Sequence, residues 1–169
     1  MRVIKGNAVV DDAWHLVADA EPAPAGADII VSFGRWRRER DTLSAHDGKL
    51  GVSILGDQDL DELARDLDRF ALIALDFPKF TDGRNYSNAR LLRERHGYRG
   101  ELRAIGDVLR DQLFFMARCG IDSFALAAGR DPQEALKSLK DFSVVYQPAE
   151  DGAGPVWRLP GRGRDKGRT

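Results

Sequence analysis

A chain of 169 residues, 43% hydrophobic and 31% charged, carries enough apolar material for one globular domain with a real core. Its formal net charge of −1 gives no global attraction to nucleic acid, and no apolar run approaches the ~20 residues that cross a bilayer. The single cysteine, Cys119, excludes an internal disulfide, and the opening MRVIKGNAVVDDAW lacks the long apolar segment of a secretory signal, so a cytoplasmic protein is expected.

In chain order, RVIKGNAVV reads as a small hairpin turning at Gly6-Asn7. DDAWHLVAD continues as a strand or starts a short helix, and the proline-bearing EPAPAGAD is a loop. DIIVSF is a strand. A helix follows over GRWRRERDTLSAHDGK, with Trp36, Arg40 and Leu43 on one side and a basic, solvated opposite side. LGVSIL is the next strand. DLDELARDLDRF is a helix with Leu60, Leu63, Ala64 and Leu67 on one stripe and an Asp59–Glu62 capping-box variant.

ALIALDF is a continuous apolar run, as in a strand covered on both faces. A helix from about Gly83 to His96 stops at Gly97. GELRAIG is a strand, and DVLRDQLFFMARCG a helix with Asp107 as its cap and Gly120 at its end. IDSFALAA is the last strand, before the helix DPQEALKSLKDF with Asp131 as N-cap. Four alternations of strand and helix after Leu50 predict an α/β fold. Its sheet is mostly parallel, of four to five strands, arranged as an open three-layer or partial-barrel-like domain with the small hairpin at the N-terminus. The expected domain covers residues 1–148, and the Gly/Pro/Arg-rich stretch 149–169 is expected to be a flexible tail.

Charge is segregated along the chain. Residues 79–103 hold seven Lys or Arg against three Asp or Glu, whereas residues 56–76 hold seven acidic residues against two Arg. These segments attract each other or present two distinct faces.

Ligands of α/β sheets bind beyond the carboxyl ends of the strands. DFPKFTDGR stands at one such end, Gly106-Asp107 at the next, and Ala127-Ala128-Gly129-Arg130 at a third. Thr81 or Asp82 can cap the helix after the turn, whose free N–H groups favour an anion. Gly83 permits close backbone approach, Arg84 adds a planar fork, and Tyr86 and Ser87 add hydroxyls. Arg90 lies one to two turns further on, and Lys79 adds a positive charge. This corner suits sulfite, sulfate, phosphate or a carboxylate, or a docking partner. The alternative is structural: Asp82 as a mere cap, and Arg84 paired with Asp76 or Asp107.

Arg103, inside a strand, needs a carboxylate, for which Asp76, Asp107 and Asp111 are candidates. Gln112 needs a hydrogen-bond partner if it faces the sheet. Cys119, at a helix C-terminus, reads as a buried, inert thiol more readily than as a nucleophile. The candidate acids and bases are Asp76, Lys79 and Asp107. There is no Walker loop, no G-x-S-x-G elbow, no complete dinucleotide fingerprint and no Cys/His cluster with metal-ligand spacing, so no cofactor and no metal is predicted.

The segments FPKFTDGRNYS, ARLLRERHGYRGELRAIGDVLRDQ and MARCGIDSF resemble the bacterial DUF934 family, and the likeness extends from IVSFGRWRRERDTL to LKDFSVVYQ. That family is labelled an oxidoreductase of sulfite reduction. The resemblance implies a role in sulfur assimilation and cysteine biosynthesis beside the haemoprotein subunit of sulfite reductase, as a partner or accessory factor. It carries over Lys79, Asp82, Gly83, Arg84, Tyr86, Ser87, Arg90, Arg103, Gly106, Asp107 and Gln112 as motif residues, without a catalytic set. Three readings stand at this point: an accessory protein of sulfite reduction, a small enzyme acting on a phosphorylated or sulfonated metabolite, and an interaction module without a ligand.

Overall fold

The computed structural model describes residues 1–79 and 82–138. Its strands are β1 (Arg2–Lys5), β2 (Ala8–Asp11), β3 (His15–Leu16), β4 (Ile29–Ser32), β5 (Leu50–Ile54), β6 (Leu72–Phe77), β7 (Glu101–Gly106) and β8 (Ser123–Phe124). Its helices are α1 (Phe33–Ser44), α2 (Leu60–Leu63), α3 (Arg84–Glu94), α4 (Leu113–Arg118) and α5 (Pro132–Ser138). Two 3-10 turns, Ala64–Arg69 and Arg110–Gln112, extend α2 and precede α4. The expected boundary at residue 148 and the stretch 149–169 lie outside the described residues.

The α/β class holds, but the sheet has eight strands rather than four or five. Their order is β2-β1-β8-β7-β6-β5-β4-β3. Strands β3 to β8 run parallel and in sequence, while β1 pairs antiparallel with both β2 and β8. The hairpin is therefore part of the main sheet, and His15–Leu16 is a strand rather than a helix start.

The edge strands β2 and β3 are joined by only Asp12, Ala13 and Trp14. In a flat sheet those edges would stand about 33 Å apart, at ~4.8 Å per strand step. Four Cα steps reach at most about 14 Å. The sheet must therefore curl until its two edges lie close, in the manner of a barrel.

Side chains alternate between the two surfaces of this curl. The outer surface carries Ile73, Leu75 and Phe77 of β6, Leu102 and Ala104 of β7, and Phe124 of β8. All five helices pack there, through Trp36, Leu63, Leu92, Met116 and Ala135 among others. One helical layer on one surface replaces the expected three-layer alternative, as sequential right-handed crossovers require. The inner surface carries a second apolar cluster, Ile30, Leu72 and Ala74, against which Trp14 and Ile105 pack. Trp14 lies over Gly51, where an added Cβ would come within 3.2 Å of the indole.

The helices follow their predicted stripes with local corrections. Trp36 is fully buried against Phe70, and its Nε1–H donates to Asp66 Oδ2 at 3.0 Å. Arg40 pairs with the same carboxylate from its exposed position. Asp59 accepts from the amides of Asp61 and Glu62, as its capping role requires. The long DVLRDQLFFMARCG helix is replaced by a 3-10 turn and six residues of α4, because Leu109, not Asp107, stands at the cap position.

The acidic and basic segments attract each other, as one of the two expectations had it. Asp61 faces Arg95 at 3.2 Å and His96 at 3.6 Å, whereas Glu62 of the acidic segment pairs instead with Arg37 of α1, outside the basic one, at 2.9 Å.

Candidate functional site

The strand ends form a rim, and α3 begins beside it. Gly83 is the residue before the helix and supplies no side-chain cap; Thr81 lies outside the described residues. Asp82 stands one position earlier, yet its carboxylate accepts the Arg84 amide at 3.3 Å. The Arg84 guanidinium folds back onto the same group, with Nε donating to Oδ1 at 2.9 Å and Nη2 to Oδ2 at 2.7 Å. Arg84 thus pairs with neither Asp76 nor Asp107. The hydrogen bonds from Arg84 hold the Asp82 carboxyl down at about 2. The corner does hold an oxyanion, and it is the chain's own.

Further along α3, Arg90 donates to Glu94 at 2.9 Å. Arg84, Ser87, Arg90, Leu91 and Glu94 are all exposed and share one outward face. Lys79 is exposed on the loop before the helix, and its carbonyl accepts the Asp82 amide at 3.0 Å. Tyr86 points away from this face. Its ring packs edge-on to Phe77 and tilted against Phe115, both at 5.3 Å, and burial pushes its hydroxyl up. Its ring packs between β6 and α4.

The opposite face of α3 carries two buried residues that sequence reasoning missed. Asn85 Nδ2 donates to the Asp76 carbonyl at 2.7 Å and lies 3.5 Å from that of Ile54, while its Oδ1 accepts from Asn88 at 2.9 Å. Asn88 also donates to the Gly56 carbonyl at 3.3 Å. These amides lock the helix onto the ends of β5 and β6. The signal was present: Asn85, Asn88, Ala89 and Leu92 fall on one helical stripe, and polar residues on a buried stripe must have partners.

Asp76 sits at the end of β6 on the inner surface, paired in register with Ile105. Among the described residues its carboxylate has no hydrogen bond or ion pair, and burial raises its pKa. Gly106 beside it has φ +90°, and a Cβ there would come within 2.6 Å of Asp76 Oδ1 and 2.5 Å of the Phe77 carbonyl. The Asp107 amide donates to that carbonyl at 2.8 Å, which pins the turn after β7. Gln112 Oε1 accepts the Leu109 amide at 3.1 Å and so supports the turn before α4.

Arg103 does not reach Asp76, Asp107 or Asp111. Its Nη1 donates to both carboxylate oxygens of Asp12 at 2.9 Å, and its Nε and Nη2 donate to Glu101 Oε1 at 3.0 and 2.7 Å. Lys5 closes the chain of charges on Glu101 at 2.6 Å. The inner surface thus holds a line of alternating charges, Lys5–Glu101–Arg103–Asp12. Cys119 is buried at the end of α4, and burial pushes its thiol up despite nearby Arg90 and Arg118, which suits an inert thiol. No group of three or more His, Cys, Asp or Glu with metal-holding geometry occurs among the described residues, and no helix there is long and apolar enough to cross a membrane.

The structure therefore places Lys79, Asp82, Gly83 and Arg84 at the start of α3, with Ser87 and Arg90 further along its exposed face. It sets Tyr86 in packing, Gln112 in a turn, and Arg103 in the inner charge line. No curated protein matches the chain. The sequence model of the family described as "Bacterial protein of unknown function (DUF934)" matches residues 51–157, a span that takes in β5 to α5 and every motif residue of the corner. With more than half of its length inside that match, this chain belongs to the DUF934 family.

Proposed function

We propose that this protein is an accessory factor of assimilatory sulfite reduction that docks on the haemoprotein subunit of the reductase through the outward face of α3. The pathway rests on the family resemblance set out from the sequence. The mode of action rests on one observation: Arg84 and Arg90 are each 56% exposed, and each already holds a carboxylate of its own chain, Asp82 or Glu94. Exposed pairs of this kind contribute ~0–1 kcal/mol. A partner's carboxylates can replace Asp82 and Glu94 at little cost. Leu91, 39% exposed on the same face, supplies an apolar contact beside them.

The test is co-elution of the purified chain with the sulfite reductase haemoprotein of its own organism, at low salt. The wild type is expected to co-elute and the Arg84→Ala/Arg90→Ala variant to elute alone. Separate elution of the wild type, with and without sulfite, would sink the reading.

A further inference from the structure

We infer that the groove between the β1–β2 turn and the end of α4 is a second site, which binds a small carboxylate with an apolar body. It lies at the amino ends of β7 and β8, the opposite end of the sheet from the rim beside Asp82. The site is independent of the α3 docking face.

The groove has a volume of about 570 Å³, within the ~300–1,000 Å³ of small-molecule sites. Buried Ile121 and Phe124 and half-buried Phe114 and Ala117 line it with carbon. Arg93, from the last turn of α3, holds its walls together. Nε donates to the Gly120 carbonyl at 3.0 Å, Nη1 to those of Tyr98 and Gly100 at 2.8 Å, and Nη2 to Asp122 Oδ2 at 2.9 Å. These bonds tie the turn before β7 to the loop before β8. The groove is therefore preformed, and a ligand spends little binding energy on ordering it.

Three donors set the charge of the ligand. A guanidinium has five N–H groups, and Arg93 spends four of them on those bonds. One Nη2–H is left without an acceptor among the described residues, on a side chain that lines the groove and is only 10% exposed. Arg99 and Asn7 line it from exposed positions, and neither side chain has a partner among the described residues. Arg99 differs in this from Arg84 and Arg90, which hold carboxylates of their own chain. The acid of the groove, Asp122, is already engaged: Oδ2 accepts from Arg93, and Oδ1 accepts the Leu102 amide at 3.1 Å. Two guanidinium groups against one engaged carboxylate favour an anion, and the open fork of Arg99 fits a planar carboxylate. The carbon lining sets the rest of the ligand. A bare sulfate or phosphate would leave it wet, whereas an apolar body covers it. Parallel α/β sheets do their chemistry at the carboxyl ends of the strands, so this opposite end binds its ligand without transforming it.

The test is a ¹H–¹⁵N correlation spectrum of the full chain titrated with phenylacetate, and separately with phenylacetamide, its uncharged isostere, and with sulfate. Saturable shifts are expected for phenylacetate at the amides of Gly6, Asn7, Gly120 and Asp122, with none at Arg84 or Ser87. Phenylacetamide and sulfate should each bind at least about tenfold more weakly, the one lacking the charge and the other the apolar body. Arg99→Met removes an exposed, unpaired guanidinium, so the fold should stand while phenylacetate binding weakens at least about tenfold. Ala117→Phe fills the groove without touching its charges and should abolish the response; both variants should keep a dispersed spectrum. No saturable phenylacetate response in the wild type overturns the site, as does an undiminished response in Arg99→Met or an equal response to phenylacetamide or sulfate. Failure of the chain to co-elute with a reductase would leave these shifts unaffected, so the two readings fail separately.

Discussion

Replacing Arg103 by Met removes the centre of the inner charge line while keeping the side chain's length. Arg103 makes bonds to two carboxylates, and the three side chains are nearly sealed from water, at 3% for Arg103, 4% for Asp12 and 8% for Glu101. Glu101 keeps Lys5 at 2.6 Å, but Asp12 is left as a buried charge without its guanidinium. Removing one partner of such a buried pair costs about 3–5 kcal/mol. For a chain of this size, that lowers the Tm by roughly 6–20 °C. Urea denaturation should show a lower midpoint at unchanged slope, because the surface exposed on unfolding stays the same. Asp12→Asn added to Arg103→Met removes the stranded charge, so the double variant should be more stable than the sum of the single effects by at least about 1 kcal/mol. Arg103→Lys should recover only part of the loss, since one ammonium cannot span both carboxylates. A cost below about 1 kcal/mol for Arg103→Met, or strictly additive single effects, would refute the claim that this line ties the β2–β3 crossing to β7.

Other substitutions probe the rim and the core. Asp76→Asn should raise the Tm at pH 7: a carboxyl whose folded pKa lies above its unfolded value contributes stability only below the unfolded value, near pH 4, and loses it as pH rises through the folded one. The gain should vanish when melting is repeated near pH 3.5. Gly106→Ala should cost about 1–3 kcal/mol in the same urea assay, because it forces a side chain into φ +90° and against the Phe77 carbonyl. Cys119 should react with a thiol reagent slowly in buffer and completely in denaturant, since it is buried and its thiol is pushed up. A fast native reaction would show that the thiol is not buried.

Much of the fold was legible because its signals are local. The stripes of α1 and α3, the apolar run of β6 and the caps at Asp59 and Asp131 all depend on residues a few positions apart. What escaped depends on distance. His15–Leu16 is two residues long and carries no periodicity, and its pairing with β4 comes from the curl of the whole sheet. The hairpin reads correctly as a hairpin, but its place beside β8 is set by contacts over 100 residues away in sequence. The same holds at the site. The Arg84–Asp82 pair spans two positions, yet the expected partners were farther ones, because a turn that folds a guanidinium back on its neighbour leaves no mark in composition. The need of Arg103 for a carboxylate follows from its place in a strand, whereas its pairing with Asp12, 91 positions away, follows only from the crossing of residues 12–14.

The proposed docking face of exchangeable ion pairs on α3 is open to a direct test. Isothermal titration of the full chain into the sulfite reductase haemoprotein, at two salt concentrations, tests it most directly. Measurable binding that weakens with salt is expected, with a Kd raised at least about tenfold in Arg84→Glu/Arg90→Glu, a loss of ~1.4 kcal/mol. Binding that ignores both the charge reversal and the salt, or no heat at any concentration with the wild type, would contradict it.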